Sequence, residues 1–216
     1  MISVIVKSIV AYLLGSLVGA LVVGRLRGGV DIRRMGSGNA GGTNALRTQG
    51  KLFAFWVLLI DIGKGWIATA VLPGAVLPGL AAGASARGWL VAACGIAVIL
   101  GHLYPLWYRF RGGKGVATLI GAVLGAAPLL LLPMLAVWLL TVILSGYVGL
   151  GSMLGALTFA LGAAVRPQTR GALLAFAALA AALIVYTHRS NIARMLAGTE
   201  PRARRLWLLG ARVRSS

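Results

Sequence analysis

The sequence predicts an all-α, polytopic membrane protein, and three observations lead to this fold class. Of its 216 residues, 59% are hydrophobic, and the mean hydropathy is +0.92. Only 3 residues are acidic, whereas 21 are lysine or arginine. The stretch from Gly115 to Val165 contains no charged residue. A soluble domain of this length cannot bury so much apolar surface, so the helices are expected to face lipid.

The distribution of positive charge predicts how the first helices cross the membrane. Three spans are predicted over residues 2–24, 52–72 and 88–107. Lys7 is the only charge before the first loop, whereas several arginines from Arg25 to Arg47 follow the first span. The positive-inside rule therefore predicts an amino terminus outside and a cytoplasmic first loop. Pro73 and Pro78 are expected to break the second span.

The uncharged stretch is long enough for two or three crossings of 17 to 25 residues. Three crossings of about 17 residues, with breaks near Pro128 and 146–151, place the polar region that begins at His188 on the cytoplasmic side. Two crossings would instead place Arg166 and Arg170 on the cytoplasmic side, which their positive charge favours. Seven arginines in the tail outweigh these two: Arg189, Arg194, Arg202, Arg204, Arg205, Arg212 and Arg214. The sequence thus predicts seven transmembrane helices in one domain, 1–216, with a cytoplasmic carboxyl terminus.

Several other classes are excluded. The basic residues lie between apolar runs rather than on one soluble face, which argues against nucleic-acid binding. Cys94 is the only cysteine, so there is no disulfide framework. Residues 1–24 lack a signal-peptidase pattern and are interpreted as a retained helix. No metal-ligand cluster and no H-x-x-x-x-D motif is present, so neither a metal nor a cofactor is expected.

Three polar regions interrupt the apolar sequence. The first, GSGNAGGTNALR over 36–47, formally contains G-x-G-x-x-G, but no strand or βαβ unit accompanies it, so a dinucleotide site is rejected. Its glycines allow close approach of a ligand to the backbone, and Arg47 suits a phosphate or carboxylate. Its neutral hydrogen-bonding side chains are Ser37, Asn39, Thr43 and Asn44.

The second region, HLYPLWYRFRGGKGVAT over 102–118, brackets Lys114 with Gly112, Gly113 and Gly115. A lysine beside such glycines at the start of a helix is suited to binding an oxyanion. A nucleotide P-loop is excluded because Tyr108 stands where that motif needs glycine.

The third region, HRSNIARMLAGTE over 188–200, contains His188 and, one helical turn later, Asn191. The acids elsewhere are expected to pair with bases: Asp61 with Lys64 at i, i+3, and Asp31 and Glu200 with neighbouring cations.

Together, the three regions resemble the bacterial acyl-phosphate-dependent glycerol-3-phosphate acyltransferases, the PlsY family. Members have similar GSGN-x-GATN-x-x-R, GH-x-x-P…F-(K/R)-GGKG-VAT and HR-x-NI-x-R-x-x-x-GTE motifs in this order. Here Gly42 replaces the usual alanine, and Arg111 stands where lysine is common. The D-x-x-KG pair, Asp61 to Gly65, also matches.

The resemblance implies acyl transfer from acyl phosphate to the 1-hydroxyl of glycerol 3-phosphate, at the cytoplasmic face of the bacterial inner membrane. It implies membrane lipids as surroundings, the soluble enzyme that makes acyl phosphate as a partner, and a monomer. The residues predicted to be catalytic are Ser37, Lys114, His188 and Asn191. Those predicted to bind substrate are Gly36, Gly38, Asn39, Thr43, Asn44, Arg47, His102, Gly112, Gly113, Gly115, Thr118, Arg189 and Glu200.

Two points stay open at the level of sequence. The proton acceptor is either His188 or a phosphate oxygen of the substrate. The alternative functions are an anion transporter and a structural protein that binds anionic lipids. A transporter is expected to place its binding groups near the bilayer midplane in repeated halves, and neither feature is evident in this sequence.

Overall fold

The computed structural model describes residues 2–76, 87–166, 170–203 and 206–208. The expected break at Pro78 and the tail residues 204, 205, 212 and 214 lie outside this part. Within it, all regular structure is helical. The chain forms two compact units, residues 1–128 and 129–216, and each is described by itself. The single domain over 1–216 stays a prediction.

Among the described residues of the first unit there are six helices, which follow the apolar runs and the first two polar regions in chain order. They are α1 (Ile2–Gly15), α2 (Gly19–Leu26), α3 (Gly42–Gln49), α4 (Lys51–Trp66), α5 (Arg87–Leu103) and α6 (Val116–Ala126). A π-helical turn and a 3₁₀ turn extend α4, so one continuous helix runs over Lys51–Gly74. The helix predicted for the second span is confirmed, and Pro73 lies in its last turn.

The predicted first span is interrupted, and the expectation of one straight helix is wrong there. α1 and α2 meet at an angle of 48° across residues 16–18. A break in a helix leaves backbone N–H and C=O groups without helical partners, which is costly away from water. The buried side chains of Asp61 and Lys64 on α4 bind those groups, so the break is stabilised by a helix distant in sequence.

Helix packing in the first unit depends on backbone-to-backbone approach at glycines. A Cβ at Gly15 or Gly101 would collide with backbone carbonyls of the facing helix, which brings α1 and α5 close together. Gly65 and Gly121 do the same between α4 and α6. Such small-residue contacts are typical of helices that pack within a membrane.

Lys7 is buried in α1 and caps the end of the Lys51–Gly74 helix. Its Nζ lies 2.9 Å from the carbonyl oxygen of Pro73 and 2.8 Å from that of Ala75. We expect Lys7→Met to lower the free energy of unfolding by about 1–3 kcal/mol, because buried carbonyls lose their donor. Denaturant or thermal unfolding in detergent measures this, with Ile9→Met on an exposed position of α1 as control. Equal stability of the two variants would contradict the capping role.

In the part of the second unit that the structure describes, four helices follow from the boundary residue Pro128 onward. They are α7 (Pro128–Ser145), α8 (Val148–Ala164), α9 (Arg170–Thr187) and α10 (Arg189–Leu196). α8 packs on α9, where the rings of Phe159 and Phe176 meet edge to face with centroids 5.5 Å apart. α9 and α10 form a pair bent by 51° at His188.

The carboxyl-terminal segment binds the end of α7 within the second unit. The last carbonyls of a helix lack intrahelical donors. Three N–H groups of the tail donate to carbonyl oxygens at this end of the helix. They are Ala203 N–H to the carbonyl of Gly146, Trp207 Nε1–H to that of Leu144, and Leu208 N–H to that of Ile143. The Arg202 guanidinium lies over the rings of Tyr147 and Trp207, at 4.7 and 4.1 Å from their centroids.

The helix lengths bear on the predicted number of crossings. Among the described residues, three helices are long and apolar enough to span: Lys51–Gly74, Arg87–Tyr108 and Pro128–Ser145. The two bent pairs raise this number to five. The breaks at Ala127 and at 146–147 agree with those predicted. However, α6 has 11 residues rather than about 17, so equal crossings are a wrong expectation. The total of seven stays a prediction.

Candidate active site

The first polar loop is organised by Asn44, whose side chain is only 1% exposed. Its Nδ2 donates to the carbonyls of Ile32, Met35 and Asn39 at 2.9–3.1 Å. Its Oδ1 accepts the N–H of Ser37 at 3.0 Å. In the structure the Asn44 amide holds the loop backbone, and its predicted contact with substrate stays a prediction.

This arrangement presents other predicted residues of the first loop at the surface. Ser37, Thr43 and Arg47 are exposed, and Asn39 is half-buried. Gly36 has a φ of 56°, and a Cβ there would also collide with Oδ1 of Asn44. Glycine is therefore required to hold the turn that precedes Ser37.

Arg33 connects the first loop to the second, a role that sequence reasoning missed. Its Nη1 donates to the carbonyls of Tyr108 at 3.2 Å and Arg111 at 2.9 Å. Its Nε and Nη2 bind the carboxylate of Asp31, as the expected pairing of that acid predicted. The two loops of the first unit are thus held together by one guanidinium.

The same pairing makes a small contribution to stability that depends on pH. The hydrogen bond from Arg33 lowers the pKa of the Asp31 carboxyl below its ordinary value. The contribution is therefore present at neutral pH and is lost as the pH falls through the lowered pKa. Both side chains are about a quarter exposed, so solvent screening keeps it small.

Backbone hydrogen bonds fasten the glycine loop before α6 to the end of α5. The N–H of Gly112 donates to the carbonyl of Leu103 at 3.1 Å, and that of Gly113 to His102 at 3.2 Å. These two groups were predicted to donate to a phosphate, and in the structure they fasten the loop to the end of α5. Lys114 is half-buried, and Gly115 caps α6 with a φ of 86°. The first turn of α6 presents N–H groups that have no intrahelical acceptor.

Two further residues predicted to bind substrate are buried. Thr118 is 0% exposed in α6, and its carbonyl packs against Gly65 of α4. His102 is 2% exposed and lies among charged side chains. Their predicted contact with substrate stays a prediction.

The predicted Asp61–Lys64 pair is confirmed, and His102 completes it. Lys64 Nζ lies 2.8 Å from Asp61 Oδ1 and 2.9 Å from His102 Nδ1. Lys64 also donates to the carbonyls of Gly15 and Leu17 at 2.9 and 3.0 Å. Asp61 Oδ1 accepts the N–H of Gly19 at 3.0 Å. Hydrogen bonds to otherwise unpaired backbone groups offset the cost of burying these ions.

The third region forms its own hydrogen-bonded group in the second unit. His188 and Asn191 are buried, and His188 Nδ1 lies 2.7 Å from the carbonyl oxygen of Ile184. Asn191 Nδ2 donates to Glu200 Oε1 at 2.6 Å, while Glu200 Oε2 accepts from Arg194 at 2.7 Å. The expected pairing of Glu200 is confirmed, and its carboxylate also supports Asn191. Its predicted contact with substrate stays a prediction.

Arg189, whose predicted contact with substrate stays a prediction, has local contacts with Tyr186. Its Nη1 donates to the carbonyl of Tyr186 at 3.2 Å, and its guanidinium lies 4.5 Å from the centroid of that ring. The structure therefore joins the first two polar regions in one unit and groups the third in the other. That all three form one site stays a prediction. The described residues contain no group of three or more His, Cys, Asp and Glu side chains suited to a metal.

Comparison with known proteins identifies the family. A profile described as "Glycerol-3-phosphate acyltransferase" matches residues 5–198. The chain belongs to the glycerol-3-phosphate acyltransferase family.

Curated members of the family are similar along nearly the whole chain. The glycerol-3-phosphate acyltransferase of Pseudomonas paraeruginosa is 46% identical over 194 residues, which cover 89% of this chain and 96% of the relative. That of Bordetella pertussis is 44% identical over 200 residues, covering 90% and 89%. The resemblance read from the three motifs is thereby confirmed.

Solved structures support the same assignment. The crystal structure of PlsY, described as an integral membrane glycerol 3-phosphate acyltransferase in its glycerol 3-phosphate form, superposes with a TM-score of 0.79. It is 36% identical and covers 93% of this chain and 95% of its own. Its lysophosphatidic acid form gives a TM-score of 0.76 at 35% identity. The predicted all-α membrane fold is confirmed at this level.

Substitution of Glu200 tests its support of Asn191 in this family member. We expect Glu200→Ala to lower acyltransferase kcat/KM by about 100-fold, because an unsupported Asn191 loses its position. Glu200→Gln keeps an acceptor for Asn191, so its loss should be about 10-fold smaller. Steady-state kinetics of purified variants measures both, and equal losses would show that the charge on Glu200 matters rather than the hydrogen bond.

Proposed function

We propose that this protein transfers a fatty acyl group from acyl phosphate to the 1-hydroxyl of glycerol 3-phosphate. The products are 1-acylglycerol 3-phosphate and inorganic phosphate. The observation that carries the proposal is the similarity, over 93% of the chain, to a PlsY structure described in a glycerol 3-phosphate form. The cationic and glycine-rich loops of the first unit support it, because both substrates are phosphates.

The reaction requires one bond to form and one to break at the acyl carbonyl carbon. The 1-hydroxyl oxygen attacks this carbon, and the bond from the carbon to the phosphate oxygen breaks after a tetrahedral intermediate. The hydroxyl proton passes to a base, and the phosphate leaves with the bonding electrons. Positioned cations and N–H donors stabilise the negative charge on the tetrahedral oxygen and on the departing phosphate.

Residues of the first unit are proposed to bind the phosphates. Ser37 and Arg47 are exposed at the ordered first loop and offer a hydroxyl and a guanidinium. Lys114 precedes the first turn of α6, where the helix dipole also favours an anion. Gly36, Gly38 and Gly115 hold the turns that carry these groups, each with positive φ. Lys114 is proposed to neutralise the charge on the leaving phosphate.

In the second unit, His188 is proposed to act with Asn191 on the attacking hydroxyl. A neutral imidazole whose Nδ1–H donates to the Ile184 carbonyl carries its basic lone pair on Nε2. Removing a general base lowers the rate by about 100- to 10,000-fold, and we expect a loss of kcat/KM in this range for His188→Ala. This variant should also lose the acidic limb of the pH profile of kcat/KM. Retention of activity within about 10-fold would indicate a substrate phosphate oxygen as the proton acceptor.

We also propose seven crossings with the amino terminus outside and the active site at the cytoplasmic face of the bacterial inner membrane. Loop charges support the orientation. α6, at about 17 Å, is shorter than the hydrocarbon core of about 30 Å, so the preceding glycine loop would enter the membrane. Irregular backbone at that depth requires protein partners, and the carbonyls of Leu103 and His102 are such partners. The enzyme is proposed to be a monomer that receives acyl phosphate from a soluble enzyme.

One assay tests the proposed reaction. Purified protein in detergent is given palmitoyl phosphate and radiolabelled glycerol 3-phosphate, with palmitoyl-CoA as the alternative donor. Lipid-extractable lysophosphatidate from acyl phosphate alone is the expected result. Product from palmitoyl-CoA alone would overturn the choice of donor. No product from either donor, together with uptake of labelled phosphate into vesicles, would favour the anion transporter instead.

A further inference from the structure

His102 lies at the junction between the buried ion pair and the glycine loop. Its side chain is 2% exposed at the end of α5. One side of the ring faces α4, where Nδ1 lies 2.9 Å from Lys64 Nζ and 3.3 Å from Asp61 Oδ1. The mechanism proposed above gives this imidazole no part, although the glycine loop begins only ten residues later.

The contacts with Lys64 and Asp61 hold the Nδ1 side of the imidazole. Lys64 is itself held by Asp61 Oδ1 and by the carbonyls of Gly15 and Leu17. The ion pair therefore holds the orientation of the His102 ring.

The other side of the ring supports Gly113. A Cβ on Gly113 would collide with His102 Nε2 and lie 2.7 Å from the carbonyl oxygen of Ala40, so ring, glycine and first loop meet at one point. The N–H of Gly113 also donates to the His102 carbonyl. Both the side chain and the backbone of one residue thus hold the loop immediately before Lys114.

We propose that His102 is a positioning residue: the Nε2 side of its ring holds the glycine loop immediately before Lys114. The inference rests on the proposed acyl transfer for its effect on rate, but not for its effect on the loop.

Two substitutions of His102 separate the two sides of the ring. Asparagine places its amide near the position of Nδ1 and keeps an acceptor for Lys64, but it does not reach Gly113. Glutamine reaches the position of Nε2 with an N–H donor. We expect His102→Asn to lower kcat/KM by about 100-fold, and His102→Gln to stay within about 10-fold of wild type. Wild-type kcat/KM in His102→Asn, or equal losses in both variants, overturns the proposal.

Hydrogen exchange provides a readout that does not depend on activity. The Gly112 and Gly113 amides are held by the end of α5, so the peptide over residues 104–116 should exchange faster in His102→Asn than in wild type. Its exchange in His102→Gln should stay near that of wild type. Unchanged exchange in His102→Asn overturns the proposal. If the wild type makes no lysophosphatidate but His102→Asn still exchanges faster, the positioning role is retained and the proposed acyl transfer is overturned.

A double-mutant cycle tests whether His102 acts through the loop. Gly113→Ala alone should collide with His102 Nε2 and lower kcat/KM. If the two residues form one support, the double variant His102→Asn/Gly113→Ala loses much less than the product of the two single losses. For independent sites, the fold-loss of the double variant equals the product of the two single fold-losses to within about twofold. That outcome overturns the proposed coupling.

Discussion

Replacing Lys114 with alanine is expected to lower kcat for acyl transfer by about 100- to 1,000-fold, the loss typical of removing one group that stabilises charge in a transition state. The residue is half-buried between Gly113 and Gly115, at the start of α6. The loop conformation depends on backbone hydrogen bonds of Gly112 and Gly113, so the truncated side chain should leave the fold intact. Steady-state kinetics with acyl phosphate and glycerol 3-phosphate measures the loss.

The control for this prediction is Lys51→Ala, which removes an exposed lysine from the first turn of α4. It changes the net charge equally but removes no group that we place in the reaction. We expect its kcat within about twofold of wild type, as for exposed residues away from a site. Matching losses in the two variants would attribute the effect to overall charge and would remove Lys114 from the proposed chemistry. Lys114→Arg restores charge without the compact ammonium, so partial recovery at most is expected.

The elements that the sequence predicted well are those set by local composition. The apolar runs gave the helices, Pro128 and Gly146 marked two breaks, and the i, i+3 spacing of Asp61 and Lys64 gave a real ion pair. The bend at residues 16–18 was missed because Ser16 alone is too small a change in polarity to mark a break in the apolar run from residue 2 to 24. That bend depends on partners more than 40 residues away on α4.

The candidate site shows a second limit of sequence reasoning. Polar residues and glycines marked the correct loops, but composition does not reveal which donors the loop itself uses. Asn44 binds three backbone carbonyls, and the Gly113 N–H binds the His102 carbonyl. Buried polar groups must find partners, so in a short loop the nearest carbonyls compete with any substrate. Spacing in sequence does not decide that competition.

The buried pair on α4 should respond to substitution unlike most buried ion pairs. We expect Asp61→Leu alone to lower the free energy of unfolding by about 3–5 kcal/mol, because the Lys64 ammonium is left buried without its counterion. In many proteins, replacing both partners with apolar residues recovers this loss. Here we expect Asp61→Leu/Lys64→Met to recover little of it. The measurement is denaturant unfolding in detergent of the wild type, both single variants and the double variant.

The reason lies in the backbone groups that the pair binds. Lys64 donates to the carbonyls of Gly15 and Leu17, and Asp61 accepts the N–H of Gly19. The double variant leaves all three without these partners at the bend between α1 and α2, and each costs about 1–3 kcal/mol. Leu59→Met, at an exposed position of α4, controls for the introduced side chain. A double variant within about 1 kcal/mol of wild type would show that the bend persists without the ions, which then serve only each other and His102.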